Sequence, residues 1–234
     1  MIEAISIGDP PIEIRLRRDP RARRMTLRHR AASSSTVLTL PPGVPVARAK
    51  TFVLQNEGWL RRQIAAVPGR IPVRHGVRLP FRGGEVTVLP APDGRSRLDE
   101  GALMLAGPPD RAGPRAATVL REAARERCAA AAAGHAARLG RKLGRVTLRD
   151  PRARWGSCTS AGDLMFSWRL ILAPDPVLDY VAAHEAAHLA HMDHSPRFWA
   201  EVAGLCPDYA EARAWLRRNG PALLRYDFSA GAGA

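Results

Sequence analysis

Between residues 184 and 194 the chain reads HEAAHLAHMDH, four histidines and one glutamate in eleven positions. No other stretch constrains the fold as much. His184 and His188 are four residues apart, so on a helix they share one face about a turn from each other. Imidazoles so placed can ligate one zinc ion at roughly 2.0–2.1 Å without bending the backbone. Glu185, beside the first histidine, can reach a water in an open coordination position and act there as general base. "DYVAA", behind Pro174 and Pro176, gives this helix an apolar start suited to burying the site against a sheet.

A third ligand has several candidates. His194 lies ten residues after His184, and the chain between can turn: Asp193 tolerates the left-handed region, and Ser195-Pro196 opens a new helix. His191 is on the same helical face, but its Cα would lie about 10 Å along the axis from that of His184. Three histidines on one straight helix are therefore awkward. Glu201 and Glu211 are carboxylate alternatives on a following helix. The expected ligand set is His184, His188 and His194, with His191 in a supporting or simply solvated role.

Elsewhere the chain changes period several times. "IEIRLR" (12–17), "MTLRHR" (25–30) and "STVLTL" (35–40) alternate as half-buried strands do, and "PPGVP" stops the third. Residues 46–67 carry helical spacing, with Phe52, Leu54, Trp59, Leu60 and Ile64 as core candidates. "VRLPFRG", "EVTVLP" and "ALMLAG" read as short strands, and 115–142 as a long Ala-, Arg- and Glu-rich helix. "RVTLRD" (145–150) and "DLMFSWRLIL" (163–172) read as strands, and 175–192, 196–204 and 208–219 as helices. The turn-rich "GPPDRAGP" (107–114) suggests a division into a β-rich region with one helix (1–110) and an α+β domain (111–228), followed by a flexible tail (229–234).

The formal charge is +14, and all but Lys50 and Lys142 of the 36 basic residues are arginine. Such a balance permits nucleic-acid binding, although arginines interleaved with aromatics on one surface are not evident, and compositional bias explains the excess as well. Three widely spaced cysteines without a CxxC pair point to reduced thiols and a cytoplasmic setting. No run reaches the roughly 20 apolar residues of a membrane helix, and the N-terminus lacks the pattern of a signal peptide.

"RWGSC" (154–158), "WRLILAP" (168–174), "LDYVAAHEAAHLAHMDHSPRFW" (178–199) and "P-DY…R-WL" (207–216) together resemble the YgjP-like metallopeptidase family, whose relatives include the SprT-like and WLM zinc proteases of the zincin type. The likeness covers most of the C-terminal half in order and spacing; the N-terminal strands and "EGWLRRQI" (57–64) are similar more weakly. The resemblance implies a zincin-like domain, with the HExxH helix against a small sheet whose edge strand can bind extended peptide. It implies one Zn²⁺ per chain on His184, His188 and His194, with Glu185 catalytic. Ala186 departs from the bulkier residue that members often carry, which touches packing and not the ligands.

The expectation is a soluble zinc metallopeptidase that hydrolyses peptide bonds through a zinc-bound water activated by Glu185, with peptide or protein substrates. Two alternatives use the positive charge: a nucleic-acid-associated protein with a structural zinc, and a protease acting on DNA-bound proteins. A fold that has lost its activity is disfavoured by the intact His184, Glu185 and His188. Trp155, Gly156 and Ser157 are expected to shape a turn near the metal, and Cys158 to be a buried structural thiol. Phe198, Trp199 and Tyr209 are expected to pack helices, although Tyr209 could instead face an oxyanion. Arg154 and Arg169 either hold a substrate carboxylate or pair with acidic neighbours. His29, His75 and His135 are expected to be ordinary surface or strand residues.

Overall fold

The alternating stretches at the N-terminus form a sheet, as their period requires. The computed structural model describes residues 3–30, 35–65 and 69–229. The chain divides into two compact units, 1–69 and 70–234. In the first, strands β1 (Ala4–Ile7), β2 (Ile12–Arg18), β3 (Thr26–Arg30) and β4 (Ser35–Leu40) lie in the order β1-β2-β4-β3. The inward residues Ile14, Leu16, Leu38 and Leu40 form one core with Ala49, Val53 and Leu60 of the helices α1 (Val46–Gln55) and α2 (Glu57–Ala65).

One continuous helix was expected over 46–67; the structure breaks it at Asn56. The Asn56 side chain donates to the carbonyl of Phe52 at 2.8 Å and so competes with the next helical turn. The break resets the helical phase. Leu54 and Trp59, expected in the core, are 47 % and 38 % exposed, while Ala49 and Val53 take the buried positions. Residue 66 and the two after it lie outside the described residues.

The second unit starts at Arg70, well before the turn-rich segment at 107–114. Strands β5 (Ile71–Pro72), β6 (Arg78–Phe81), β7 (Gly84–Pro90), β8 (Arg97–Asp99) and β9 (Ala102–Leu105) lead into helix α3 (Ala112–Arg138). Leu79, Val88, Leu103 and Leu105 from these strands share a core with Ala116, Leu120 and Ala124 of α3. A boundary at 110 would cut through that core, so the division falls at 69/70 instead. The sheet order is β6-β7-β9-β8. In the β6–β7 hairpin Arg82 and Gly83 both take positive φ, as a two-residue turn of this kind demands.

Strands β10 (Val146–Arg149), β11 (Gly156–Cys158) and β12 (Leu164–Ser167) form a three-stranded sheet in the order β10-β12-β11, with β10 parallel and β11 antiparallel to β12. β11 was expected as a turn. The strand expected over 163–172 ends at Ser167, and Trp168–Leu172 wind into a 3-10 turn with every side chain buried. A continuous apolar run has no period by which to tell the two apart. Helices α4 (Asp175–Ala187), α5 (Pro196–Leu205) and α6 (Tyr209–Leu223) follow, and β13 (Tyr226–Asp227) pairs with β5. This is the expected α+β arrangement, with an HExxH helix packed on a small sheet. Of the expected tail only Ser229 is described, and it bonds to Asp227.

Arg82 anchors the start of α4. Its guanidinium meets Asp175 through contacts of 2.8, 3.0 and 3.2 Å, and its backbone N–H donates to Ile171. The pairing holds the Asp175 carboxyl below its usual range. The three cysteines are free thiols, and no helix among the described residues is long and apolar enough to cross a membrane.

Candidate metal centre

α4 ends at Ala187, earlier than the expected 192. The amides of Leu189 and Ala190 bond back three residues, to Ala186 and Ala187, which tightens the chain into a turn. That turn changes the direction of the backbone, so His191 does not continue the face of His184 and His188. Asp193 then makes the bend without a left-handed residue, contrary to expectation. Its carboxylate accepts from the amide of Ser195 at 3.2 Å, a local side-chain turn. Ser195 caps α5 by accepting from the amide of Phe198, with Pro196 behind it.

The turn brings His194 back to the helix. One ring nitrogen from each of His184, His188 and His194 lies within 4.8 Å of the others, a group that could hold a metal ion. Nε2 of His184 and Nε2 of His194 stand 3.2 Å apart. Two imidazole nitrogens on one tetrahedral ion with bonds of roughly 2.0–2.1 Å would be about 3.3 Å apart. His188 Nδ1 lies 3.0 Å from the carbonyl oxygen of His191. A carbonyl only accepts, so Nδ1 carries the proton and Nε2 keeps a lone pair for a cation. The donor set therefore fits a metal ion.

Phe198 forms the floor. It is fully buried, and its ring centroid lies 4.9, 4.5 and 4.7 Å from those of His184, His188 and His194. Trp199 stands 5.6 Å from His184, stacks on Tyr209, and carries the Arg213 guanidinium on its ring. Tyr209 stacks in turn on Tyr180, so it takes the packing role that was expected of it.

Burial is the main force on the titrations. It pushes the His184 pKa down to about 4, helped by repulsion from His188, His194 and Arg213, and it lowers His188 too. These two rings are neutral at pH 7, as ligands must be. Glu185 is 6 % exposed, and burial raises its pKa to about 7, with Arg154 pulling the other way. Cys158 is half-buried and donates to the carbonyl of Thr159; burial and the Glu185 charge push its thiol up to about 11. It is not among the clustered ligand atoms.

The other candidates separate from the cluster. The His191 ring is 3.9 Å from Glu201. Glu211 is exposed in the first turn of α6. Arg169 is buried and bidentate on Asp150, so it is a structural residue and has no substrate to hold. His29 and His75 are half-buried in β3 and before β6, but His135, expected at the surface, is buried on α3 and bonded to Asp179 at 2.9 Å.

Gly156, expected only to shape a turn, lies against Glu185, a contact the sequence did not announce. A Cβ built on Gly156 would lie 2.6 Å from Cγ and 2.7 Å from Cδ of Glu185, and nearer still to one carboxylate oxygen. The Glu185 side chain thus rests directly on the backbone of β11. The glycine in "RWGSC" was the available signal, since a glycine inside a strand marks a close approach.

The family profile described as "YgjP-like, metallopeptidase domain" matches residues 23–219. No curated protein and no solved structure matches the chain. The comparisons lend no support to the expected nucleic-acid partner.

Proposed function

The chain belongs to the YgjP-like metallopeptidase family, and from that premise we propose that it is a zinc peptidase with His184, His188 and His194 as the metal ligands and Glu185 as the general base. The observation that carries this reading is the convergence of the three imidazoles beside a buried carboxylate on the same helix. Three imidazoles form a donor set that suits zinc, one ion per chain. When bound, such an ion supplies Lewis acidity, which makes a water more acidic and a carbonyl more electrophilic. Glu185 takes the proton from the attacking water and delivers it to the nitrogen of the departing amine. A carboxylate whose pKa lies near 7 in the metal-free protein is matched to a proton it must both accept and return. β11 has β12 as its sole strand partner among the described residues, and its other edge offers backbone groups to an extended peptide.

Incubation of the metal-replete protein with a peptide library is expected to give cleavage that a chelator abolishes and zinc restores. Cleavage indifferent to chelation, or none from the metal-replete protein, would overturn the reading.

Gly156→Ala tests the seat of the glutamate. The new methyl group must displace the Glu185 side chain, and a shift of about 1 Å in a reacting group costs about 10²-fold in rate. We expect kcat to fall about that far, with the metal retained. Unchanged turnover would show that Glu185 does not act from this position.

A further inference from the structure

Two basic pockets lie at either end of β11. One, of about 220 Å³, is lined by Arg141, Lys142, Thr159, Ser160, Gly162 and by His188 of the imidazole cluster. The other, of about 250 Å³, is lined by Arg152, Arg154, Trp155 and Arg217. Arg154 also acts electrostatically on Glu185. The first pocket shares His188 with the candidate centre, and the second reaches Trp155, next to the Gly156 on which Glu185 rests. Neither is lined by a carboxylate.

Resting on the peptidase reading above, we propose that the substrate is an acidic peptide segment, with carboxylate side chains on both sides of the bond that is cut, one in each pocket. Arg152 has part of its charge committed, because it donates to the carbonyl of Leu224. Arg141, Lys142, Arg154 and Arg217 make no ion pair among the described residues. Unpaired cations are usually just solvated. Here four of them line cavities at the two ends of one strand, with the Glu185 side chain resting on Gly156 of that strand and His188 lining one cavity. From Trp155 to Thr159 an extended chain covers about 13 Å, so the two anionic side chains would stand about four residues apart. Cations in pockets whose linings hold no carboxylate attract such a peptide and reject a basic one.

The test measures binding apart from cleavage. Metal-replete Glu185→Gln protein is titrated into a fluorescein-labelled extended peptide carrying two glutamates four positions apart, and into its glutamine counterpart. Anisotropy should give the acidic peptide about tenfold the affinity of the neutral one at low salt, with the difference shrinking as salt rises. Arg154→Gln with Arg217→Gln, and Arg141→Gln with Lys142→Gln, should each cost the acidic peptide about fivefold and the neutral one nothing. Equal affinity for the two peptides, or indifference to both pairs of substitutions, would overturn the proposal. So would an oligonucleotide of equal charge that binds more tightly and is lost in the same variants. Library cleavage by the wild type without acidic preference would sink this inference and leave the peptidase reading standing. Acidic binding lost in these variants, with no library peptide cut, would keep the pockets and sink the peptidase.

Discussion

Glu185→Gln is expected to remove turnover and to stabilise the metal-free fold with one substitution. General base catalysis contributes about 10²–10⁴-fold, and the amide cannot take the proton, so kcat should fall by about 10³-fold or more. The stability effect follows from burial. The Glu185 pKa is raised from its ordinary 4.5 to about 7, the reverse of a carboxylate held by a cation. Below about pH 4.5 both the folded and the unfolded chain carry the proton, and burial of the neutral acid costs nothing of this kind. As the pH rises from 4.5 to 7 the unfolded chain releases the proton first, and stability falls. Above pH 7 the folded state carries a buried charge at a cost of about 3 kcal/mol. Glutamine has no charge to bury, so chemical unfolding of the metal-free proteins should show a gain of up to about that size at pH 8 and none near pH 4. A gain independent of pH would mean that packing, and not ionisation, sets it. The site would then be stable at the expense of nothing.

Arg169→Met is expected to destabilise the second unit. The Arg169 side chain is 2 % exposed and holds Asp150 through contacts of 2.7 and 3.2 Å. It also donates to the carbonyls of Leu223 at 3.1 Å and Tyr226 at 2.9 Å, and lies on the rings of Trp168 and Phe228. One guanidinium thus ties the 3-10 turn before α4 to the chain after α6. Methionine fills much of the volume but leaves Asp150 and two carbonyls without a donor. The two carbonyls left without a donor cost about 1–3 kcal/mol, while the exposed Asp150 is returned to water. Lysine should recover only part, since it cannot offer the planar fork. The denaturant midpoint reads this directly, and a loss below about 1 kcal/mol would show the network to be dispensable.

Which parts of this architecture the sequence revealed depended on period. The strands at 12–17 and 35–40 announced themselves because one face of each is apolar at a fixed spacing, and the long helix α3 because its Ala-, Arg- and Glu-rich run has few breakers. The grouping of the three imidazoles was legible because four-residue spacing on a helix puts His184 and His188 on one face, and the residues after them contain their own helix start at Ser195-Pro196. β11 was hidden: three residues, Gly-Ser-Cys, carry neither alternation nor β-branching, and only the sheet makes them a strand. The break at Asn56 and the turn at Trp168–Leu172 were hidden too. The first depends on a local side-chain hydrogen bond that periodicity does not register, and the second on a core that distant residues complete. Arg169 could not be assigned from its neighbours in sequence, since Asp150 is nineteen positions away and its carbonyl partners more than fifty.

The central claim is that three histidines, with His194 as the third, hold one zinc ion. Native mass spectrometry of wild type, His194→Ala and His191→Ala after dialysis against a weak chelator tests it most directly. One zinc per chain is expected in the wild type and in His191→Ala, whose backbone carbonyl still orients His188, and none in His194→Ala. Zinc retained by His194→Ala, or lost from His191→Ala, would contradict it.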